Sequence, residues 1–290
     1  MFLRDHIYGS FQLELLPPSL EVHSSFICCK GHTICEIIMV DLKLSRVCYQ
    51  VDKSELISNV SLSLTSGDWF VIAGRNGSGK STLLRLMAGL LQPTSGEIFL
   101  NTKKYSNNSD LNKKLSVMSQ KSELISNLTV IELVRLGRYP HIPAWKFGLS
   151  TKDHEAVEYA IDFVGLNQYS CRAIDTLSGG ERQRAFLALA LAKDGSILFL
   201  DEPTNHLDIV AQRQILDLLN KLKKEGKIIV TVLHDLNHMA KYATKLALLR
   251  EGCLFKFGSL DSVYTSLNLT KTFGLNIEVV EFNQYRSAIY

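Results

Sequence analysis

A glycine-rich segment near residue 80 restricts the possible folds of this chain more than any other part of it. The segment consists of Gly74, Arg75, Asn76, Gly77, Ser78, Gly79, Lys80, Ser81 and Thr82. It matches the phosphate-loop pattern G-x-x-x-x-G-K-[ST] at every fixed position. Residues 69–73 before it predict a buried strand, and residues 83–88 after it predict a helix. A plain glycine turn needs neither the lysine nor the serine in this register, so the pattern favours phosphate binding.

The residue types of this segment explain why it would bind an anion. Glycines let the backbone turn tightly and bring its N–H groups close to a phosphate. The start of the following helix adds unpaired N–H groups and the positive end of the helix dipole. We expect Lys80 to reach the β- and γ-phosphates of a nucleotide and Ser81 to bind Mg²⁺.

Length and composition set outer limits on the protein class. The chain has 290 residues, enough for one large domain or two small ones. Its formal net charge of +3 gives no sign of a nucleic-acid-binding surface. It contains no run of eighteen apolar residues, so a role at a membrane would require a partner chain.

Residues 1–38 differ in character from the rest of the chain. They contain Pro17-Pro18 and show no sustained periodicity, whereas a regular domain pattern begins directly after Met39. We expect an N-terminal extension that is poorly ordered or precedes the natural start near Met39; a weakly packed arm is the alternative. Asp5 interrupts any secretory-signal pattern.

Half of the six cysteines lie in this extension. Cys28, Cys29 and Cys35 have His23 and His32 nearby, but their spacing matches no metal-binding pattern. Reduced thiols are therefore the favoured interpretation.

Alternating apolar residues between Leu42 and Leu64 predict two antiparallel strands. Tyr49 lies on the first of them, where its ring could stack on a nucleobase; from the local pattern alone, simple packing is the more common role. A further strand at residues 115–119 ends at Gln120. At that end of an open α/β sheet a glutamine can face a ligand, although a solvated loop glutamine is the ordinary case.

Helical periodicity dominates residues 122–176, which predict a helical subdomain inserted into the α/β core. Residues 177–184, LSGGERQR, then open another helix. Ser178, Gly179 and Gly180 make this a second anion-binding helix start. One nucleotide carries one set of phosphates, so the second start suggests a dimer in which it covers the partner's nucleotide. A serine N-cap with a flexible turn is the alternative.

Acidic and imidazole side chains follow two later core strands. The apolar run 197–200 ends in Asp201-Glu202, which suits Mg²⁺ binding and catalysis, and the run 228–233 ends at His234. Residues 205–208, ending in Asp208, begin another helix. A closing hairpin and, from Ser259, a short helix pair with a polar end complete the chain.

Together these motifs resemble the ATP-binding subunits of ABC transporters, over roughly residues 40–275. Tyr49 corresponds to the A-loop ring, Gln120 to the Q-loop, LSGGE to the signature, Asp208 to the end of the D-loop and His234 to the H-loop. The resemblance implies an α/β fold: a P-loop NTPase cassette with an antiparallel β subdomain and an inserted helical subdomain. We place the ATPase domain at residues 39–275 and a C-terminal tail at 276–290.

Two segments narrow the resemblance. Residues 129–141, TVIELVRLGRYPH, and 233–237, LHDLN, are similar to subunits that energise uptake of iron-siderophore, haem and cobalamin. Iron(III)-siderophore is favoured as the commonest type, with haem or cobalamin as alternatives. Residues 201–208 also resemble the ribosome-associated ABC-F factors, but those carry two cassettes and a charged linker, and this chain has one cassette and near-neutral charge.

The resemblance also implies a mechanism and partners. Two copies would enclose two ATP molecules, with Tyr49 on adenine, Lys80 on phosphate and Ser81, Gln120 and Asp201 around Mg²⁺. Glu202 would be the base that acts on water, and His234 would steady the γ-phosphate. The expected partners are permease subunits and, indirectly, an external substrate-binding protein. The expected location is the cytoplasmic face of the cell membrane.

Overall fold

The computed structural model describes residues 39–105, 113–118, 127–143, 145, 148–282 and 285–290. The expectations about residues 1–38, including the cysteine–histidine cluster, lie outside the described residues, as does Gln120. The strands are β1 (Asp41–Val51), β2 (Ser54–Thr65), β3 (Trp69–Gly74), β4 (Ser95–Leu100), β5 (Lys103–Lys104), β6 (Leu115–Met118), β7 (Ile197–Asp201), β8 (Ile228–Val232), β9 (Lys245–Arg250), β10 (Cys253–Ser259), β11 (Glu278–Phe282) and β12 (Tyr285–Ile289).

Helices alternate with the later strands. They are α1 (Lys80–Met87), α2 (Val130–Leu136), α3 (Thr151–Phe163), α4 (Gly179–Ala192), α5 (Ile209–Lys224), α6 (Leu236–Tyr242), α7 (Leu260–Val263) and α8 (Ser266–Phe273). Single turns of 3₁₀-helix occur at Tyr139–His141, Asn167–Tyr169 and Ile174–Thr176. Across the described residues, no helix combines the length and the apolar character needed to cross a bilayer.

The main sheet combines an antiparallel part with a parallel core. Within the described residues its strand order is β5-β4-β1-β2-β10-β9-β3-β8-β7-β6. Strands β1, β2, β4 and β5 pair antiparallel, whereas β3, β8, β7 and β6 pair parallel. The two parts join where Cys253 of β10 pairs with Ser58 of β2. The predicted α/β class and the antiparallel strand pair are confirmed.

The register of the parallel strands determines where the site forms. Strand β8 lies between β3 and β7, with Val232 opposite both Ile72 and Asp201. All three strands therefore end at the same edge of the sheet. The segments that follow them, which begin at Arg75, Glu202 and Leu233, are brought together at that edge.

Alternate side chains of β3 enter two different apolar clusters. Trp69 and Val71 pack with helices α2–α6, and Phe70 and Ile72 pack with α1 and the antiparallel strands. Every residue of β3 and of β8 is buried. Burial on both faces explains why these strands are continuous apolar runs rather than alternating ones.

The helical insertion is closed at its base. An isolated β-bridge joins Thr129 to Ala173, so the segment leaves and rejoins the core at adjacent points. Thr129 and Ser150 begin α2 and α3 with reciprocal capping boxes to Glu132 and Asp153. The bridge and both capping boxes lie within the range that the sequence predicts for the helical subdomain, about residues 122–176, whose boundaries stay a prediction.

The C-terminal residues form an element that the sequence did not predict. The expected helix pair is present as α7 and α8, but the polar end is an antiparallel hairpin, with Val279 opposite Ala288. Ala288 is buried in the larger apolar cluster. The short strands lack the turn signals and the long apolar alternation by which hairpins are recognised.

Candidate functional site

The glycine-rich segment forms the loop between β3 and α1. Gly77 and Gly79 have φ angles of 79° and 96°, which L side chains rarely adopt. A Cβ on Gly79 would lie 2.8 Å from the Leu56 carbonyl oxygen, and one on Gly74 would lie 2.4 Å from that of Leu249. The loop therefore needs glycine at these positions both for its conformation and for its close contact with neighbouring strands.

Lys80 is buried at the start of α1, with its ammonium group inside the loop. Its Nζ donates hydrogen bonds to the carbonyl oxygens of Gly74 and Arg75, each at 3.0 Å. Burial lowers the pKa of Lys80, while the charges of Glu202 and Asp201 act in the opposite direction. The positively charged Lys80 ammonium group therefore lies inside the loop that the sequence predicts to bind phosphate oxygens.

Ser81 and Asp201 meet across the sheet edge. The Ser81 hydroxyl lies 3.1 Å from Asp201 Oδ1 and donates to it. Burial raises the pKa of Asp201, and the hydrogen bond from Ser81 lowers it in part. A hydroxyl and a carboxylate are oxygen ligands of the kind that Mg²⁺ prefers.

The donor set fits magnesium better than a metal that requires a protein cage. Within the described residues, no group of three or more His, Cys, Asp or Glu side chains is arranged around a common metal position. Mg²⁺ is commonly held by one or two carboxylates together with substrate phosphates and water. Ser81 and Asp201 provide this minimal set.

Both carboxylate oxygens of Glu202 contact neighbouring side chains. His234 Nε2 lies 2.6 Å from Oε1, and the Asn205 carboxamide donates to Oε2. Glu202 itself has a φ of 53°, and its carbonyl oxygen accepts from the Asn205 N–H at 3.2 Å. This tight turn aims the carboxylate at His234, and the strained backbone at this position is typical of functional sites.

The sequence pattern does not predict the contact of Asn205 with Glu202. The spacing of three residues after a strand end is compatible with a turn, but nothing in the pattern requires the amide to reach back. The contact depends on the left-handed backbone conformation of Glu202, which L residues rarely adopt and which the sequence does not reveal.

Tyr49 is connected to the phosphate loop through its strand partner. It is partly buried on β1 and pairs with Ile57 of β2. A Cβ on Gly79 would lie 2.9 Å from Ile57 Cδ1, so Ile57 borders the loop directly and Tyr49 is its neighbour on the next strand. Gln120 lies outside the described residues; the strand before it, β6, ends at the same edge of the sheet, where Met118 pairs with Leu200.

The residues of the signature segment line a cavity of about 300 Å³. Its lining includes none of residues 74–82. The cavity is lined by Ser178, Gly179, Gly180, Glu181, Arg184, His206, Leu207, Asp208, Val210, Ala211 and Gln214. The structure therefore brings Asp208 to the signature segment, away from the Ser81–Asp201 contact.

Capping interactions fix both helices around this cavity. The Ser178 hydroxyl accepts from the Glu181 N–H, and Glu181 accepts from the Ser178 N–H at 2.8 Å. The backbone hydrogen bond from Ser178 lowers the pKa of Glu181. Asp208 caps α5 by accepting from the Ala211 N–H at 2.8 Å. Ser178 is therefore an N-cap, as the alternative interpretation held, and it is also placed at an open cavity.

Comparisons with known proteins agree with this geometry. Residues 57–205 match the ABC transporter family model, slightly more than half of the chain. The petrobactin import ATP-binding protein FpuC of Bacillus anthracis is 37% identical over 243 residues, which are 83% of this chain and 89% of the relative. The iron(3+)-hydroxamate import ATP-binding protein FhuC of Bacillus subtilis is 38% identical over 229 residues, covering 78% and 84% of the two chains.

A solved structure gives the same result at the level of the fold. A metal-chelate type ABC transporter in an inward-facing conformation superposes with a TM-score of 0.75 at 27% identity, covering 86% of this chain and 96% of that one. The resemblance inferred from the motifs is confirmed. The chain belongs to the ABC transporter family and is one of its ATP-binding subunits, the class that hydrolyses ATP to drive transport.

Proposed function

We propose that this chain is the ATP-hydrolysing subunit of an importer for iron(III)-siderophore. The observation that carries the ATPase part is the meeting of Ser81 with Asp201 and of Glu202 with His234 at one sheet edge. The cargo rests on the import proteins for petrobactin and iron(3+)-hydroxamate to which the chain is similar. Haem and cobalamin are the alternatives that the experiment below separates.

In this proposal the phosphate loop binds and orients ATP. Lys80 and the loop N–H groups bind the β- and γ-phosphates, and Tyr49 stacks on the adenine. Ser81, Asp201 and Gln120 would hold Mg²⁺, which would neutralise phosphate charge when bound. ATP binding would also offset the cost of burying the Lys80 ammonium, because its charge would gain anionic partners.

Glu202 is the proposed general base. Its carboxylate is oriented at one oxygen by His234 and at the other by Asn205. A water that lies between this carboxylate and the γ-phosphate would give a proton to Glu202 as it attacks. His234, which contacts Glu202, would steady the γ-phosphate oxygens. Catalysis here consists mainly of positioning and charge stabilisation.

Two copies of the chain complete the site. The N–H groups at the start of α4, at Gly179 and Gly180, border an open cavity on a surface other than the phosphate loop. In a head-to-tail homodimer this helix start would bind the partner's γ-phosphate, with Asp208 at the seam between the copies. Ile209 and Val210 beside it are 83% and 67% exposed, as expected for residues that a second copy covers.

The remaining partners follow from the proposed transport role. Closing of the dimer on ATP and its opening after hydrolysis would pass through the Gln120 region and the helical subdomain to permease subunits in the membrane. The chain would be peripheral, on the cytoplasmic face. A substrate-binding protein outside would deliver the cargo, and this chain would not touch it.

Growth of a deletion strain tests the cargo. Cells lacking the gene are grown with limiting iron and one siderophore, haem or cobalamin at a time. Failure on a siderophore, rescued by the wild-type gene and not by Lys80→Ala, is the expected result. Lys223→Ala is the matched control and should rescue, since it removes another lysine whose pKa is lowered by burial, far along α5. Failure on haem or cobalamin alone would overturn the siderophore assignment.

A further inference from the structure

The segment that carries His234 is very short. Strand β8 ends at Val232, and α6 begins at Leu236, only two residues after the histidine. The first turn of α6 therefore sets the direction in which the His234 backbone leaves the sheet. Whatever holds this turn also influences the position of the imidazole against Glu202.

The first turn of α6 is held from the C-terminal hairpin. Asn237 Oδ1 accepts two hydrogen bonds from β12, one from the Ala288 N–H at 2.8 Å and one from the Ser287 hydroxyl at 3.0 Å. The N–H of Asn237 in turn donates to Asp235 Oδ1 at 2.7 Å. One residue thus joins the hairpin to the cap that directly follows His234.

A second contact acts on the same turn from α7. The hydroxyl of Tyr264 donates to the Leu236 carbonyl oxygen at 3.1 Å, and Tyr264 is only 1% exposed. Tyr264, at the end of α7, and strand β12 therefore hydrogen-bond to two consecutive residues close to His234, Leu236 and Asn237.

The hairpin is itself firmly attached, so it can act as a fixed support. Arg286 of β12 pairs with Asp261 of α7 at 2.6 Å and with Glu281 of β11 at 2.7 Å. The Val279 N–H donates to Ser266 Oγ at 2.8 Å. These contacts tie both strands of the hairpin to the core through α7 and α8.

We propose that Asn237 is a positioning residue for His234, through which the C-terminal hairpin supports the hydrolysis step. The inference rests on the proposed roles of Glu202 and His234. Asn237 does not touch the nucleotide in this scheme. Its loss would leave ATP binding intact and let the imidazole move away from the γ-phosphate and Glu202.

The test measures single-turnover ATP hydrolysis and nucleotide affinity on the full chain. Asn237→Ala should lower the hydrolysis rate about five- to tenfold, the effect expected from losing one or two ordinary hydrogen bonds. ATP affinity should stay unchanged. Ser287→Ala should show a smaller loss, and Asn237→Asp, which keeps the acceptor oxygen, should retain most of the rate. Glu278→Gln, at an exposed hairpin position, is the control and should match wild type.

Combination with His234→Ala separates positioning from general destabilisation. If Asn237 acts through His234, Asn237→Ala should cause no further loss in the His234→Ala background. A full additional loss there, or a wild-type rate for Asn237→Ala alone, would overturn the inference while leaving the ATPase proposal standing. Absence of ATP hydrolysis in the wild-type chain would instead overturn both.

Discussion

The two glycines that open α4 are predicted to differ sharply in their tolerance of a side chain. A Cβ on Gly180 would lie 2.8 Å from the Cβ of Ala211, whereas the nearest neighbour of a Cβ on Gly179 is Leu207 Cδ2 at 3.8 Å. Non-bonded carbons rest at about 3.5–4.0 Å, so Gly180→Ala creates an overlap of roughly 0.7 Å or more. The Ala211 methyl cannot rotate away, since Ala211 is fixed at the start of α5 by the Asp208 cap.

The overlap has to be relieved by moving one helix relative to the other. Overpacking of this kind costs about 1–3 kcal/mol, and the higher helix propensity of alanine offsets up to about 1 kcal/mol of that. We therefore expect Gly180→Ala to lower the free energy of unfolding by roughly 1–2 kcal/mol, and Gly179→Ala to leave it unchanged or slightly raised.

Equilibrium urea unfolding of the nucleotide-free chain measures both effects without involving catalysis. At about 2–4 °C per kcal/mol, the melting temperature of Gly180→Ala should also fall by several degrees. Equal stability of the two variants, or a larger loss in Gly179→Ala, would refute the packing of α4 against α5 described above.

Two other variants test separate parts of the structure. Tyr49→Ala should weaken ATP binding about ten- to a hundredfold, as loss of base stacking does, and Tyr49→Phe should not; fluorescent-nucleotide titration measures this, and equal affinity of both variants would contradict stacking. In the helical insertion, burial raises the pKa of Asp153, but hydrogen bonds from Ser150 and Arg138 outweigh it and bring the pKa to about 2, below its ordinary 3.8. The ionised Asp153 carboxylate, held by Ser150 and Arg138, therefore stabilises the fold above pH 4. Roughly 1–2 kcal/mol of the free energy of unfolding should be lost as the pH falls from about 4 to about 2. Asp153→Asn should remove this pH dependence in urea unfolding, and an unchanged dependence would contradict the assignment.

The sequence predicted much of the core because its signals are local. The strand before Gly74, the N-cap Ser178 and the acidic strand end at Asp201 all depend on short patterns with a direct physical cause. Parallel strands ending at one edge then suffice to predict that the residues at the ends of β7 and β8, Asp201-Glu202 and His234, lie at the same edge as the phosphate loop. The register in which Val232 lies opposite both Ile72 and Asp201 agrees with that expectation.

Short sequence patterns do not predict contacts between residues that are distant in the sequence. The hydrogen bonds from Ala288 and Ser287 to Asn237 join residues about fifty positions apart in the sequence, and no local pattern predicts them. The hydrogen bond from Asn205 to Glu202 depends on the unusual positive φ angle of Glu202. Residue propensities cannot predict such an angle, because they average over many backbone conformations. In our proposal both contacts support the catalytic groups Glu202 and His234, and they depend on the fold rather than on any motif.

The most direct test of the ATPase account is the comparison of wild type with Glu202→Gln. ATP turnover and ATP affinity are measured on the same preparations, with Glu158→Gln, at an exposed position on α3, as the matched control. If Glu202 is the general base, Glu202→Gln should bind ATP as wild type does and turn it over about 10²- to 10⁴-fold more slowly. Turnover by Glu202→Gln at the wild-type rate would contradict the role of Glu202, and with it the catalytic arrangement proposed at this sheet edge.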